Sequence, residues 1–159
     1  VPSYADDRAE ILDLMARYLF ALDWGDGASY AACFTPDGEL DWARETTKGR
    51  AALTAMCKGF PEAMRGIMGD VPHRHFLAQT AITVNGDRAC ARAAWFEMAR
   101  GRDGVRDDGF GKSSFGHYED TLLRVDGRWL FERRKIYNEY LTDRGAGKQN
   151  PVTEEGMMR

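Results

Sequence analysis

Pro72-His73-Arg74-His75-Phe76-Leu77-Ala78-Gln79 opens the stretch that decides the fold. From His75 the chain runs apolar to Val84 and meets Asn85-Gly86-Asp87. It then continues from Arg88 to about Arg100, the pattern of a long hairpin closed by a tight Asn-Gly turn. The pattern returns downstream, where Ser113 to Val125, an Asp126-Gly127 turn and Arg128 to Tyr137 form a second hairpin. Between them Gly101 to Lys112, rich in Gly and Asp, reads as a loose connection.

Upstream of this stretch the periodicity changes from two to about 3.6. Ile11, Leu12, Met15, Tyr18, Leu19 and Leu22 recur at three- and four-residue steps, which predicts a helix from about Tyr4 to Leu22. Asp23 then stands where that helix stops, at the end whose dipole disfavours a carboxylate, so a neighbouring cation is expected to offset it. Asp26 caps a short second helix with Tyr30, Cys33 and Phe34 turned inward. Thr35-Pro36-Asp37-Gly38 reads as a turn and Glu39-Leu40-Asp41-Trp42 as a short strand. Arg50 to about Met68 is helical in pattern, broken into pieces by Pro61 and Gly66. Its Met56, Met64 and Met68 are read as core filling or as an adaptable pocket wall.

Helices first and antiparallel strands second give an α+β domain. The expected architecture is a cone-shaped α+β barrel, a strongly curved, mostly antiparallel sheet wrapped around the long N-terminal helix. Residues 1–141 would form this single domain, and the polar tail 142–159 would cover a pocket or a subunit contact. Such a cone leaves a concave apolar hollow of the kind small molecules occupy.

The bulk numbers narrow the partners. A chain of 159 residues fits one core, and its net charge of −3 gives no electrostatic reason to expect nucleic acid or an anionic membrane. No run approaches the length of a membrane span, and a cytoplasmic protein is expected. Cys33, Cys57 and Cys90 have no paired spacing, so neither a disulfide framework nor a metal site is indicated. No phosphate-cradling turn or activated nucleophile stands out, so no cofactor is expected.

Five motifs in order resemble one family. Tyr18-Leu19-Phe20-Ala21-Leu22-Asp23, Phe34-Thr35-Pro36-Asp37-Gly38, His75-Phe76-Leu77-Ala78-Gln79, Gly116-His117-Tyr118-Glu119-Asp120 and Val125-Asp126-Gly127-Arg128-Trp129 are similar to the SnoaL-like branch of the nuclear-transport-factor-2-like superfamily. Within it the motifs are closest to two lyases, scytalone dehydratase and hexachlorocyclohexane dehydrochlorinase. The resemblance implies His75 as general base and Asp23 as the carboxylate that orients it. It also implies departures: Leu22 and Trp42 stand where the dehydratase has tyrosines, and Arg134 where it has an apolar residue. The resemblance further places Gly116 and Tyr118 toward the cavity and His117 outward.

A neutral imidazole, with a pKa of about 6.5, suits proton removal near neutrality, and a carboxylate on its other nitrogen fixes the tautomer. Tyr118 is the candidate hydrogen-bond donor to a developing oxyanion. Tyr18, Leu22, Trp42, Trp95, Phe96 and Arg134 are candidate substrate-binding residues, although alternation lets only one of Trp95 and Phe96 face inward. Arg134 has two readings, an ion pair with Asp120 or an anchor for an anionic group. His73 is assigned to a loop or pocket rim. The expected activity is a cofactor-independent, dehydratase-type lyase acting on a small hydrophobic or aromatic compound, in a homodimer or homotrimer. A formaldehyde-releasing lyase, a ring or double-bond isomerase of polyketide-cyclase or ketosteroid-isomerase type, and a non-catalytic ligand-binding protein are the alternatives.

Overall fold

A computed structural model describes residues 2–42, 45–100 and 114–141, together with 145, 147, 149–153 and 157 of the tail. The long helix α1 spans Tyr4–Trp24 and α2 spans Gly27–Ala32. Strands β1 (Phe34–Trp42) and β2 (Glu45–Lys48) precede helix α3 (Arg50–Met68). Strands β3 (His73–Asn85), β4 (Arg88–Ala99), β5 (Phe115–Val125) and β6 (Arg128–Asn138) follow. The six strands form one curved sheet in the order β2-β1-β6-β5-β4-β3, antiparallel except where β1 runs parallel to β6.

Helix α1 begins with a reciprocal cap between Ser3 and Asp6, which satisfies backbone donors that the first turn leaves open. Its buried face, including Ile11, Leu14, Met15, Tyr18 and Leu22, packs into the concave side of the sheet. Two bonds fix its course along β3: Tyr4 Oη donates to the Ile82 carbonyl (3.1 Å) and Arg8 to the Thr80 carbonyl (3.3 Å). From Tyr4 to Asp23 a helix rises about 28 Å, and from Ile82 back to His75 a strand spans about 23 Å. Anchoring one end therefore delivers Asp23 to the neighbourhood of His75.

Three expectations change. Residues 35–38 belong to β1 rather than to a turn, with an irregular register between Phe34 and Glu39 absorbing Pro36 and Gly38. Strand β2, too short and polar to stand out in the sequence, pairs with the end of β1. Helix α3 is continuous through Pro61 and Gly66. The proline forfeits one backbone bond, but its ring packs against Gly25, whose left-handed φ of 68° ends α1 and whose added Cβ would lie 2.9 Å from Pro61 Cγ.

The connection at 101–112 and the side chain of Met68 lie outside the described residues. Among the described tail residues, Met157 is buried in a groove with Thr83, Cys90 and Thr121, on the sheet face away from α1. Met158 lies outside the described residues. No described helix is long and apolar enough to cross a membrane.

Candidate active site

A bulge in β3 aims the site. From Asn85 down to Thr80 each β3 residue pairs with a β4 partner in one register, and from Leu77 to His73 the register has moved by one. Two residues, Ala78 and Gln79, therefore oppose Ala94 alone. Such an extra residue reverses which side chains face inward. Ile82 points into the core above the bulge, and Leu77, His75 and His73 point inward below it, while Phe76 is exposed and stacked on exposed Phe96. Without the bulge His75 would face solvent.

His75 ends between two carboxylates. Its Nδ1 lies 2.6 Å from Asp23 Oδ1, and its backbone N–H donates to Asp23 Oδ2 at 3.0 Å. Its Nε2 lies 3.1 Å from Glu97 Oε2, and all three side chains are about nine-tenths buried or more. Ser114 Oγ donates to the other Glu97 oxygen at 2.5 Å. The last turn of α1 contains no basic residue, so the imidazole is the cation that offsets Asp23 at the negative end of the helix.

Burial pushes the His75 pKa down, but the hydrogen bonds and charges of Asp23 and Glu97 outweigh it and lift it to about 9. His75 therefore rests as an imidazolium near neutral pH. For Glu97, burial acts upward, and the bonds from His75 and Ser114 prevail to hold the carboxyl below its usual range. Burial and the charge of His75 lower the pKa of His73, whose Nε2 is buried with no hydrogen-bond partner. His73 thus begins β3 inside the fold, 5.6 Å from the His75 ring, rather than in a rim loop.

Asp23, His73 and His75 place one donor atom each within 4.8 Å of one another. The 2.6 Å between Asp23 and His75 Nδ1 is the distance of a short charge-assisted hydrogen bond. Two ligands of one zinc-sized ion, each about 2.0–2.1 Å from the metal, would stand farther apart. The trio fits a proton, and no metal is assigned.

Beside this chain lies a cavity of about 350 Å³. Met56, Phe60, Met64 and Ile67, spaced along one face of α3, form one wall. Tyr18 and Leu22 from α1, Trp42 from β1, and Trp95 and Tyr118 from the sheet form the rest, with Ser114 and Asn138 as polar points. Trp95 and Tyr118 are stacked with ring centres 5.7 Å apart, and Trp95 Nε1 donates to the Tyr137 carbonyl at 3.1 Å. Gly116 permits this crossing, because a Cβ there would lie 1.9 Å from the same carbonyl oxygen. Burial raises the Tyr118 pKa well above 10, so the phenol stays a neutral donor.

Tyr18, Leu22, Trp42, Trp95, Tyr118 and His75 line the cavity together, and Asp23 reaches His75 from behind it. Two candidates do not join them. Phe96 lies on the opposite sheet face, because strand alternation turns it away from Trp95. Arg134 is fully buried and bidentate to Asp120 at 2.8 and 2.7 Å, with its guanidinium about 4.1 Å from the Tyr118 and Phe131 ring centres. Its charge is spent on that pair, and it does not line the cavity. His117 stacks on Tyr137 outside the cavity. Glu97 and Ser114 were missed. The Asn85-Gly86 turn alone would set Met98 opposite His75, and only the bulge brings Glu97 there.

The SnoaL-like domain family matches residues 3–135. No curated protein matches the sequence at significance. Among solved structures, an NTF2-like protein with a cystatin-like fold from Novosphingobium aromaticivorans is 31% identical. It covers 84% of this chain and 81% of its own, with a TM-score of 0.67. ActVI-ORFA from Streptomyces coelicolor is 28% identical over 84% of this chain and 98% of its own, also at 0.67. A candidate scytalone dehydratase from Novosphingobium aromaticivorans shares the fold at 24% identity and a TM-score of 0.65, over 93% of this chain and 94% of its own. With the match running from the cap of α1 into β6, the chain belongs to the SnoaL-like domain family.

Proposed function

We propose that the protein is a cofactor-independent lyase that eliminates water from a small, uncharged cyclic compound bearing a carbonyl beside the reacting carbon. The observation that carries this reading is the Asp23–His75 contact at the wall of an otherwise apolar cavity. His75 removes the proton next to the carbonyl, Asp23 holds the ring and stabilises its charge, and Tyr118 donates a hydrogen bond to the oxygen that becomes enolate-like. The family includes polyketide cyclases and dehydratases, whose chemistry is of this kind.

Charge supports the substrate class. No lysine or arginine is among the described lining residues, and two carboxylates sit at the imidazole end. An anionic substrate would meet two carboxylates against the single imidazolium of His75, a net repulsion. The stacked Trp95–Tyr118 pair offers a flat aromatic surface to a ring.

The test uses 3-hydroxy-1-tetralone, which loses water to give 1-naphthol. His75→Ala and Asp23→Asn should each slow naphthol formation by about 10²–10⁴-fold, with circular dichroism spectra like the parent. Wild-type rates in both variants would overturn the reading. Conversion without release of water would replace the lyase with an isomerase.

A further inference from the structure

We propose that Glu97 is a second catalytic residue, which takes the Nε2 proton of His75 when substrate fills the cavity and then delivers it to the departing oxygen. The inference rests on the lyase reading above and solves a difficulty within it. An imidazolium cannot accept a proton, and His75 rests as one. A base at this position therefore needs an exit for the proton it already holds.

Glu97 Oε2, 3.1 Å away, is the hydrogen-bond partner of Nε2 among the described residues. Free of substrate, the cavity can solvate three charges: Asp23, the imidazolium and Glu97. An apolar ring entering it displaces water, and loss of water penalises charged forms over neutral ones. Moving one proton across the Nε2–Oε2 contact removes two of the three charges. Asp23 remains ionised on Nδ1–H, which leaves the lone pair on Nε2. Ser114 bonds Glu97 Oε1 and serves either protonation state, because that oxygen accepts in a carboxylate and in a carboxylic acid alike.

The cycle then closes without an outside donor. Neutral His75 takes the proton beside the carbonyl, and the C–H electron pair becomes the new C=C bond. The C–O bond breaks, and the leaving oxygen takes the Oε2 proton and departs as water. The site is left with imidazolium and carboxylate, its resting form. Because His75 and Glu97 are directly opposed in the β3–β4 ladder, removal and delivery occur on one face of the substrate, a syn elimination.

Among the described residues, the other ionisable groups near His75 are Asp23 from α1, His73 from its own strand and, beyond Trp95, Tyr118 from β5, while Phe60 of α3 packs against the ring. Unlike these groups, Glu97 both touches Nε2 and lines the cavity.

The experiment incubates wild type, Glu97→Gln and His75→Ala with 3-hydroxy-1-tetralone in D₂O. It reads 1-naphthol by fluorescence and deuterium beside the carbonyl by NMR. Glutamine keeps the shape but carries no transferable proton, so naphthol formation should fall at least 100-fold in Glu97→Gln. Deuterium uptake should stay within about tenfold of wild type, since His75 is then a free base. A merely structural glutamate would not separate these two readouts. Full dehydration by Glu97→Gln, or loss of exchange as complete as in His75→Ala, overturns the assignment of Glu97. Retention of both activities by His75→Ala, or a wild type inert toward the probe, overturns the lyase reading instead and takes the Glu97 assignment with it.

Discussion

At His75 two carboxylates meet one imidazole, all three side chains nearly buried, and the charge balance there depends on pH. The folded-state pKa of about 9 lies above the ordinary value of about 6.5. This stabilisation is therefore complete below about pH 6.5 and is lost as pH rises through about 9. The loss amounts to on the order of 3 kcal/mol. Thermal melts of wild type at pH 6 and pH 10 should differ more than those of Glu97→Gln, in which the imidazole has one anionic partner fewer. An equal pH dependence in both proteins would contradict the assignment. At this scale Asp23 and His75 were legible, because a carboxylate at the wrong end of a helix and an imidazole opening a strand are both local signals. Glu97 was not, since its partner depends on a register that no local pattern announces.

Elements place these residues, and the β3 bulge matters most. A strand's side chains alternate, so the one-residue shift of register between Leu77 and Thr80 decides whether His75 faces cavity or solvent. Deleting Gln79 alone would leave His75 opposite Glu97 and facing inward, whereas deleting Ala78 and Gln79 together turns His75 outward with Phe76 inside. Dehydratase activity should then fall to the level of His75→Ala while the circular dichroism spectrum keeps its strand signal. Retained activity would show that the imidazole can reach the cavity in either register. The hairpins themselves were readable from their Asn85-Gly86 and Asp126-Gly127 turns, where Gly86, Asp126 and Gly127 all adopt positive φ. The continuity of α3 was not, because the packing of Pro61 on Gly25 is a long-range contact that overrides a local breaker. Trp95 and Phe96 show the same limit, since alternation demands that one face inward and only the register says which.

For the whole molecule, the sheet closes over α1 around a charged core as well as an apolar one. Arg134 and Asp120, both fully buried, stand between the aromatic floor of the cavity and the interior. Removing one partner of such a pair strands the other charge in a medium that cannot solvate it. Asp120→Ala should therefore destabilise the fold by about 3–5 kcal/mol, read as a lower midpoint in urea. Asp120 and Arg134 exchanged together for Leu and Met should recover much of that loss. An Asp120→Ala protein as stable as wild type would mean that the pair contributes nothing to the fold. The α+β class and the long helix were visible in the change of hydrophobic period along the chain. The use of Arg134 was not decided there, because an inward arginine suits an ion pair and a ligand anchor equally until the opposing strand is in place.

The state of the His75 ring is the quantity on which the chemistry depends. Nitrogen-15 NMR of the imidazole, followed from pH 5 to 10, reads it directly. Both ring nitrogens should be protonated at pH 7, with loss of the Nε2 proton near pH 9. Adding 1-tetralone, which fills the cavity but has no water to lose, should shift the ring toward its neutral Nδ1–H form. A ring already neutral at pH 7, titrating near the ordinary 6.5 and unmoved by the ketone, would contradict a proton held between Asp23 and Glu97.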